Sequence, residues 1–431
     1  MQDLKHVHMV GIGGIGMSAL AQLYVSRGIT VTGSDREASP VTALLDGQGI
    51  PVSIGHDGAI PDGTDLLVYS DAVPSEDQTR AQARQMNIPE RSYFQALGEI
   101  SREMATIAVA GTHGKTTTTG MLAVILEKAG KDPTAIVGSI VRDFPSRAGG
   151  SNFRAGSHNL LVVEACEYRD HVLQFSPRIL VLTNIELDHT DYFADLAALQ
   201  KTFHEAAMKI PVDGAIITDP AHPHIAPVLS GVVARVVDYT LESVPDIAQI
   251  GEFNRQNARA AKAAAKAAYP DIPDETIDEA LSLFRGSWRR FEYKGETAKG
   301  ALVYDDYAHH PTAIRATVEA AKEQFPGKRI VVAFHPHLYS RTKSLLPEFA
   351  DALALADESV IAPIYAAREA TDPAISHEVL AEEVRKRGGK SLALDSFDEI
   401  RGHLNGYGDD TLIILMGAGD IYRLASQIVD E

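Results

Sequence analysis

The sequence predicts an α/β protein made of three successive layered segments, 1–97, 98–286 and 287–431. Three observations carry that expectation. Apolar strand-like runs alternate with helix-like stretches, the pattern of mainly parallel sheets with helices on both faces. Two glycine turns, at 11–16 and 111–114, each lie between a strand and a helix. Finally, 431 residues are too many for one ordinary domain.

Composition narrows the function classes. A hydrophobic content of 45% with 23% charged residues fits a folded globular chain. The net charge of -18 argues against nonspecific binding to nucleic acid or anionic membranes, while leaving room for a local phosphate pocket. One cysteine, Cys166, excludes an intrachain disulfide. The N-terminus has no apolar signal core, and no apolar run approaches membrane-spanning length. The expected location is the cytoplasm and the expected partners are small molecules. Composition leaves the oligomeric state open.

The first segment opens with a strand over 6–10, then Gly11-Ile12-Gly13-Gly14-Ile15-Gly16 and a helix over 17–26. Gly28 ends that helix. A second strand over 29–32 runs into Gly33-Ser34-Asp35. This is a βαβ unit with a dinucleotide-type glycine fingerprint, and Asp35 sits where a ribose-binding acid belongs. The turn suits NAD, but the same helix N-terminus would take any diphosphate, including that of a UDP-sugar. A further strand is expected over 66–70.

The second segment carries the most informative stretch. A strand over 106–109 leads into Ala110-Gly111-Thr112-His113-Gly114-Lys115-Thr116-Thr117, followed by a helix over 120–126. Such a turn points several N–H groups and the positive end of a helix dipole at one spot. Lys115 supplies a charge for terminal phosphates and Thr116 a hydroxyl for Mg²⁺. A nucleoside triphosphate is therefore expected, which tilts the first segment away from hydride chemistry. Val109 stands where the longer phosphate-loop pattern has glycine. Strands are expected over 159–164, 179–183 and 214–218, and helices over 194–208 and 257–268. Glu164, just past a strand end, could hold a Mg²⁺ that bridges ATP to substrate. Glu167 reads equally as a solvated loop carboxylate, and Cys166 as a structural thiol. Thr183-Asn184-Ile185-Glu186-Leu187-Asp188-His189 follows the next strand, with His189 suited to a metal or a phosphate.

The third segment begins near Gly286-Ser287-Trp288-Arg289-Arg290-Phe291-Glu292. Strands are expected over 301–304, 329–334, 358–362, 391–394 and 411–416, with helices over 313–323 and 345–355. Tyr304-Asp305-Asp306-Tyr307-Ala308-His309-His310-Pro311 follows a strand, and Pro311 opens a helix. Its acids and histidines could bind a metal or orient phosphates and a nucleophile; Asp305 or Asp306 could equally cap the turn. In Phe334-His335-Pro336-His337-Leu338-Tyr339-Ser340-Arg341-Thr342, Arg341 suits a carboxylate or phosphate. Gly417-Ala418-Gly419-Asp420 is a possible nucleotide turn.

Together these motifs resemble the Mur ligase family, in order and along the whole chain. Gly-Thr-His-Gly-Lys-Thr-Thr at 111–117 resembles the family's ATP loop. The stretches at 11–17, 183–189, 289–292, 305–311 and 339–342 resemble the branch that adds L-alanine to UDP-N-acetylmuramate. The resemblance implies an N-terminal UDP-binding Rossmann-like domain, a central ATPase and a C-terminal Rossmann-like domain that closes over the site. It implies ATP contacts from Gly111, Thr112, His113, Gly114, Lys115, Thr116, Thr117, Asn254, Asn257 and Asp306. Thr116, Glu164 and His189 would hold Mg²⁺. Gly11, Gly13, Gly14, Gly16, Asp35 and Ser70 would bind the UDP-sugar. Lys115, Glu164, His189, His309, His310 and Arg341 would serve the reaction, Arg341 on the muramyl-side substrate.

The implied chemistry activates a carboxylate as an acyl phosphate for attack by an amine. His309, His310 or a water would receive the amine proton. Three departures stand out: Phe253 for the family histidine before Asn254, Glu-Ala-Cys-Glu-Tyr at 164–168 for the commoner Glu-Ala-Asp-Glu-Ser, and Leu338 for an arginine. A family relative that reattaches a recycled tripeptide shares the His-His-Pro region but lacks the 336–342 run, which favours the alanine-adding reading.

Overall fold

The first sheet is parallel throughout, in the order β3-β2-β1-β4-β5. Its strands are β1 (His6–Val10), β2 (Thr30–Asp35), β3 (Val52–Ile54), β4 (Leu66–Tyr69) and β5 (Glu90–Ser92). This is a computed structural model that describes residues 4–55, 59–146, 149–157, 159–367 and 369–429. Val7, Met9 and Val10 of β1 and Leu67 and Val68 of β4 are fully buried, as expected of strands covered on both faces. The chain leaves β1 towards β2 on one side and returns to β4 on the other. The glycine turn after β1 therefore lies at a topological switch point, at the carboxyl ends of the strands.

The second sheet has seven strands in the order β12-β11-β10-β6-β9-β7-β8. They are β6 (Ala105–Ala110), β7 (Thr134–Val141), β8 (Ser151–Arg154), β9 (Leu160–Glu164), β10 (Ile179–Leu182), β11 (Ala215–Thr218) and β12 (Arg235–Asp238). Only the β7–β8 pair is antiparallel. β6 lies between β9 and β10, so the phosphate loop leaves the middle of the sheet with Glu164 beside it. The helix Lys115–Lys128 starts at the lysine itself, five residues before the sequence pattern turns apolar. Thr116, Thr117, Thr118 and Thr119 are all buried, so packing overrides their modest helix propensity.

The helix Tyr93–Glu103 runs through residue 97 and hands over to β6 only at Ala105. Ser92 opens it with a capping box completed by Gln95.

The third sheet is ordered β13-β14-β18-β15-β16-β17. Its strands are β13 (Glu292–Glu296), β14 (Leu302–Asp306), β15 (Arg329–Phe334), β16 (Glu358–Ile361), β17 (Ser391–Ala393) and β18 (Thr411–Met416). All pairs are parallel except β13–β14. Ile330, Val332, Phe334 and Ile414 pack on one face; Val331, Ala333, Ile413 and Leu415 pack on the other. Two units result. One comprises the residues up to Ile185 with 200–245 and 257–285. The other comprises 186–199, 246–256 and the residues from Gly286. Among the described residues no helix is long and apolar enough to cross a membrane.

Candidate active site

In the first unit the glycine turn at 11–16 is shaped by close approach. The N–H groups of Gly11 and Ile12 both donate to Ser34 O. Gly11 has φ +76, and a Cβ there would lie 3.0 Å from Ser70 Cβ. A Cβ on Gly16 would lie 2.7 Å from the Tyr93 ring. Asp35 accepts the Gly13 N–H at 2.8 Å, so its carboxylate braces the turn. No side chain caps the following helix at Gly14. Asn152 on β8, which sequence reasoning missed, donates to Ile15 O and to Ser18 Oγ.

The phosphate loop is tied to the strand beside it. The His113 N–H donates to Asn184 Oδ1 at 2.9 Å, while the Thr183 hydroxyl and the Asn184 amide donate back to His113 O at 2.6 and 3.1 Å. Gly111 has φ +122, and a Cβ there would collide with Thr183 Oγ1. Gly114 has φ +83 and faces Asn257 Oδ1. Asn257 also accepts the Thr118 hydroxyl at 3.3 Å, so the structure seats this residue against the loop itself.

Lys115 folds back along the loop, donating to Gly111 O at 2.5 Å and Thr112 O at 3.1 Å. Its Nζ also lies 2.9 and 3.1 Å from the two carboxylate oxygens of Glu167. Glu167 is 1% exposed, which overturns its reading as a solvated loop acid. Burial works against the Lys115 charge, but the carboxylates of Glu167 and Glu164 more than offset it and raise its pKa. The Cys166 thiol is pushed up to about 12 by burial and by Glu167, consistent with an inert thiol. Glu164 accepts the Thr116 hydroxyl at 3.1 Å and the Gly138 N–H at 2.7 Å. Thr116 and Glu164 thus come together at the loop as a pair of oxygen donors.

In the second unit, Asp188 accepts from Arg341 Nε at 3.0 Å and Nη2 at 2.7 Å. Both residues are buried. Burial alone would raise the Asp188 carboxyl, but Arg341 and the neighbouring histidines hold it well below the usual range. The Arg341 guanidinium is therefore partly committed within the protein, to Asp188 and, through Nη1, to His337 at 3.3 Å. His189 follows Asp188 with φ +52, its N–H held by the Asp188 carboxylate. Leu338 also has positive φ, at +70, and is buried. Asn254 donates to Ile250 O at 2.8 Å near the start of the helix Glu252–Ala268.

Asp305 and Asp306 divide their roles. Asp305 forms a buried ion pair with Arg289, and burial raises its carboxyl to about 6. Asp306 accepts from the backbone N–H of Phe291 at 2.7 Å and of Ala308 at 2.8 Å. It is a turn brace, and burial raises its carboxyl.

The two histidines also part ways. His310 caps the helix Pro311–Gln324: its Nδ1 accepts the Thr312 N–H at 3.3 Å and its Nε2 faces Leu187 O at 3.3 Å. His309 Nδ1 faces Tyr307 O at 3.0 Å. That contact assigns the proton to Nδ1 and leaves Nε2 with its lone pair. Burial, with Arg341 adding, pushes His309 well below the ordinary histidine range, so it is neutral at pH 7.

The Gly417–Gly419 turn is shaped by packing. The carbonyls of Gly417 and Gly419 accept from Arg289. A Cβ on either glycine would lie 2.5 Å from His335, at its O and its Nδ1 respectively.

Three family models match the chain in order: the Mur ligase family catalytic domain over residues 6–104, the Mur ligase middle domain over 109–248 and the Mur ligase glutamate ligase domain over 289–419. The chain is 40% identical to a UDP-N-acetylmuramate–L-alanine ligase of Desulfitobacterium hafniense, covering 98% of this chain and 99% of that protein. Among solved structures, a UDP-N-acetylmuramate–alanine ligase of Thermotoga maritima aligns with TM-score 0.79 at 27% identity, over 99% of this chain and 98% of that one. A murein peptide ligase of Psychrobacter arcticus aligns over the same shares with TM-score 0.70, also at 27% identity. The loop that holds Lys115, the strand-end acids beside it and these end-to-end matches agree: the chain belongs to the Mur ligase family.

Proposed function

We propose that this chain is an ATP-dependent ligase that joins L-alanine to the carboxylate of UDP-N-acetylmuramate, a step of peptidoglycan precursor synthesis in the cytoplasm. The observation that carries this reading is the Lys115 ammonium, seated inside a phosphate loop on a chain 40% identical, end to end, to a relative bearing that activity's name. In this reading 1–97 binds the UDP-sugar, 98–286 binds ATP and 287–431 serves the amino acid.

A carboxylate is a poor electrophile. Transfer of the ATP terminal phosphoryl group to it forms an acyl phosphate and releases ADP. The amine then attacks the carbonyl, phosphate leaves and an amide remains. The main barrier is the approach of two anions, so catalysis is largely positioning and charge neutralisation. Lys115 and the loop N–H groups supply this to the phosphates. Thr116 and Glu164 offer adjacent hard oxygen donors, the ligand type Mg²⁺ takes. When bound there, Mg²⁺ would supply further neutralising charge. His309 Nε2 is the protein's acceptor for the amine proton, because both nitrogens of His310 are engaged.

The test is isotopic. UDP-N-acetylmuramate labelled with heavy oxygen in its carboxylate is incubated with ATP and L-alanine. One labelled oxygen should appear in the released phosphate, and phosphate release should require both substrates. Unlabelled phosphate alongside the ligated product would refute the acyl-phosphate route. Phosphate release without either substrate would refute the ligase reading.

A further inference from the structure

The turn after Glu164 links two places that the reaction must coordinate. Glu167 starts it, with its buried carboxylate on Lys115. Four residues later, His171 Nε2 lies 2.7 Å from Asp71 Oδ2, and its ring stacks on Phe94 with centroids 3.8 Å apart. Asp71 directly follows Ser70, the residue that packs against Gly11 in the first glycine turn.

The backbone between these anchors is held in an unusual shape. Arg169 and Asp170 both have positive φ, +52 and +60, in the region that side-chain-bearing residues seldom occupy. Asp170 is pinned there by its N–H to Glu167 O at 3.0 Å and by the Thr202 hydroxyl on its carboxylate at 2.5 Å. Consecutive residues in such a conformation persist only where the surroundings fix them.

We propose that Glu167 is a positioning residue for Lys115, and that the segment 167–171 carries the state of the first glycine-turn site to Lys115 through the His171–Asp71 contact. This rests on the ligase reading, in which the first site takes the UDP-sugar and Lys115 meets ATP. A ligand seated beside Ser70 shifts Asp71, Asp71 shifts His171, and Glu167 moves with the turn. Lys115 is then held towards, or away from, the incoming phosphates. The two binding sites are thereby coupled in free energy, and the coupling is reciprocal.

The test measures binding of a non-hydrolysable ATP analogue by calorimetry, with and without saturating UDP-N-acetylmuramate. It uses the full-length wild type, His171→Phe, Asp71→Asn and Glu167→Gln. His171→Phe keeps the ring against Phe94 and removes only the contact with Asp71. In the wild type the UDP-sugar should change the analogue Kd by about five-fold or more, a typical coupling. In His171→Phe and Asp71→Asn that change should vanish, while the analogue Kd measured alone stays within about two-fold, as expected when no ligand contact is removed. Glu167→Gln should lose the coupling and also lower kcat. Undiminished coupling in both far-anchor variants overturns the proposal, as does a wild type that binds both ligands without coupling. A purely structural role would weaken analogue binding without UDP-sugar and leave the coupling ratio unchanged. Failure of the wild type to bind UDP-N-acetylmuramate at all would instead strike the ligase reading.

Discussion

Lys115 shows how one residue can be legible in kind and not in setting. Its place in a glycine turn is the feature behind its proposed phosphate role, but nothing in the sequence shows that Glu167 pairs with it. Only Ala165 and Cys166 lie between Glu164 and Glu167, and the buried turn decides that one faces Thr116 and the other Lys115. A buried ion pair gains little net stability, yet removing one partner costs about 3–5 kcal/mol because the other is left uncompensated. Lys115→Ala should therefore lower kcat by about a thousandfold or more and also destabilise the protein. Adding Glu167→Gln should restore the denaturation midpoint and leave activity lost. Recovery of activity in the double variant would mean that Lys115 does not act on the phosphates. His309 and His310 are adjacent in sequence and equivalent as candidates there; their hydrogen bonds separate them. His309→Ala should lower kcat by about a hundredfold or more, the scale of a lost general base. His310→Asn, which keeps a capping side chain, should stay within about tenfold, since Asn replaces a cap at little cost. The reverse ranking in steady-state kinetics would reassign the proton acceptor.

At the scale of elements, the sequence patterns locate the long apolar strands well. The runs at β6, β9, β15 and β18 are bounded by turns and carry few polar residues, so their strand character is legible from composition. Edge elements were harder. β13 and β8 carry mostly polar residues, and their strand character comes from pairing with a neighbour rather than from composition. The Gly417–Gly419 turn is ambiguous in sequence for a related reason. Its glycines are needed for close approach to His335 and Arg289, a packing demand that resembles a nucleotide turn in sequence. At the opposite end of the third sheet, the first residue of β16, Glu358, is fully buried. It meets Arg329, Lys390, His403 and Tyr407. Burial alone would raise its carboxyl, but hydrogen bonds from Lys390, Tyr407 and His403 bring it from 4.5 down to about 2. A depressed carboxyl contributes its stability above the unfolded value and loses it as pH falls towards the folded one. The stability gap between wild type and Glu358→Gln should thus be constant near neutral pH and shrink as pH falls from about 4.5 towards 2. A gap that is flat across that range in denaturant titrations would mean that the network contributes no net charge stabilisation.

At the scale of the whole molecule, the order of three sheets, each with its glycine or acid cluster at strand ends, follows from the chain's alternation of strands and helices. The matches along nearly its full length place that order in the Mur ligase family. Substrate choice is a finer property. In the proposed reading it turns on Arg341, which the structure finds already bonded to Asp188, and on Leu338, which is buried. A pocket built for one methyl group separates neighbours such as glycine and serine by only about ten- to two-hundred-fold, whereas a tripeptide differs far more in bulk and charge. The most direct measurement offers the protein ATP, Mg²⁺ and UDP-N-acetylmuramate with an equimolar mixture of L-alanine and L-alanyl-γ-D-glutamyl-diaminopimelate, and weighs the product by mass spectrometry. The account predicts a UDP-sugar product heavier by one alanine residue, formed one for one with phosphate. A product carrying only the tripeptide, or none formed while ATP is consumed, would contradict it.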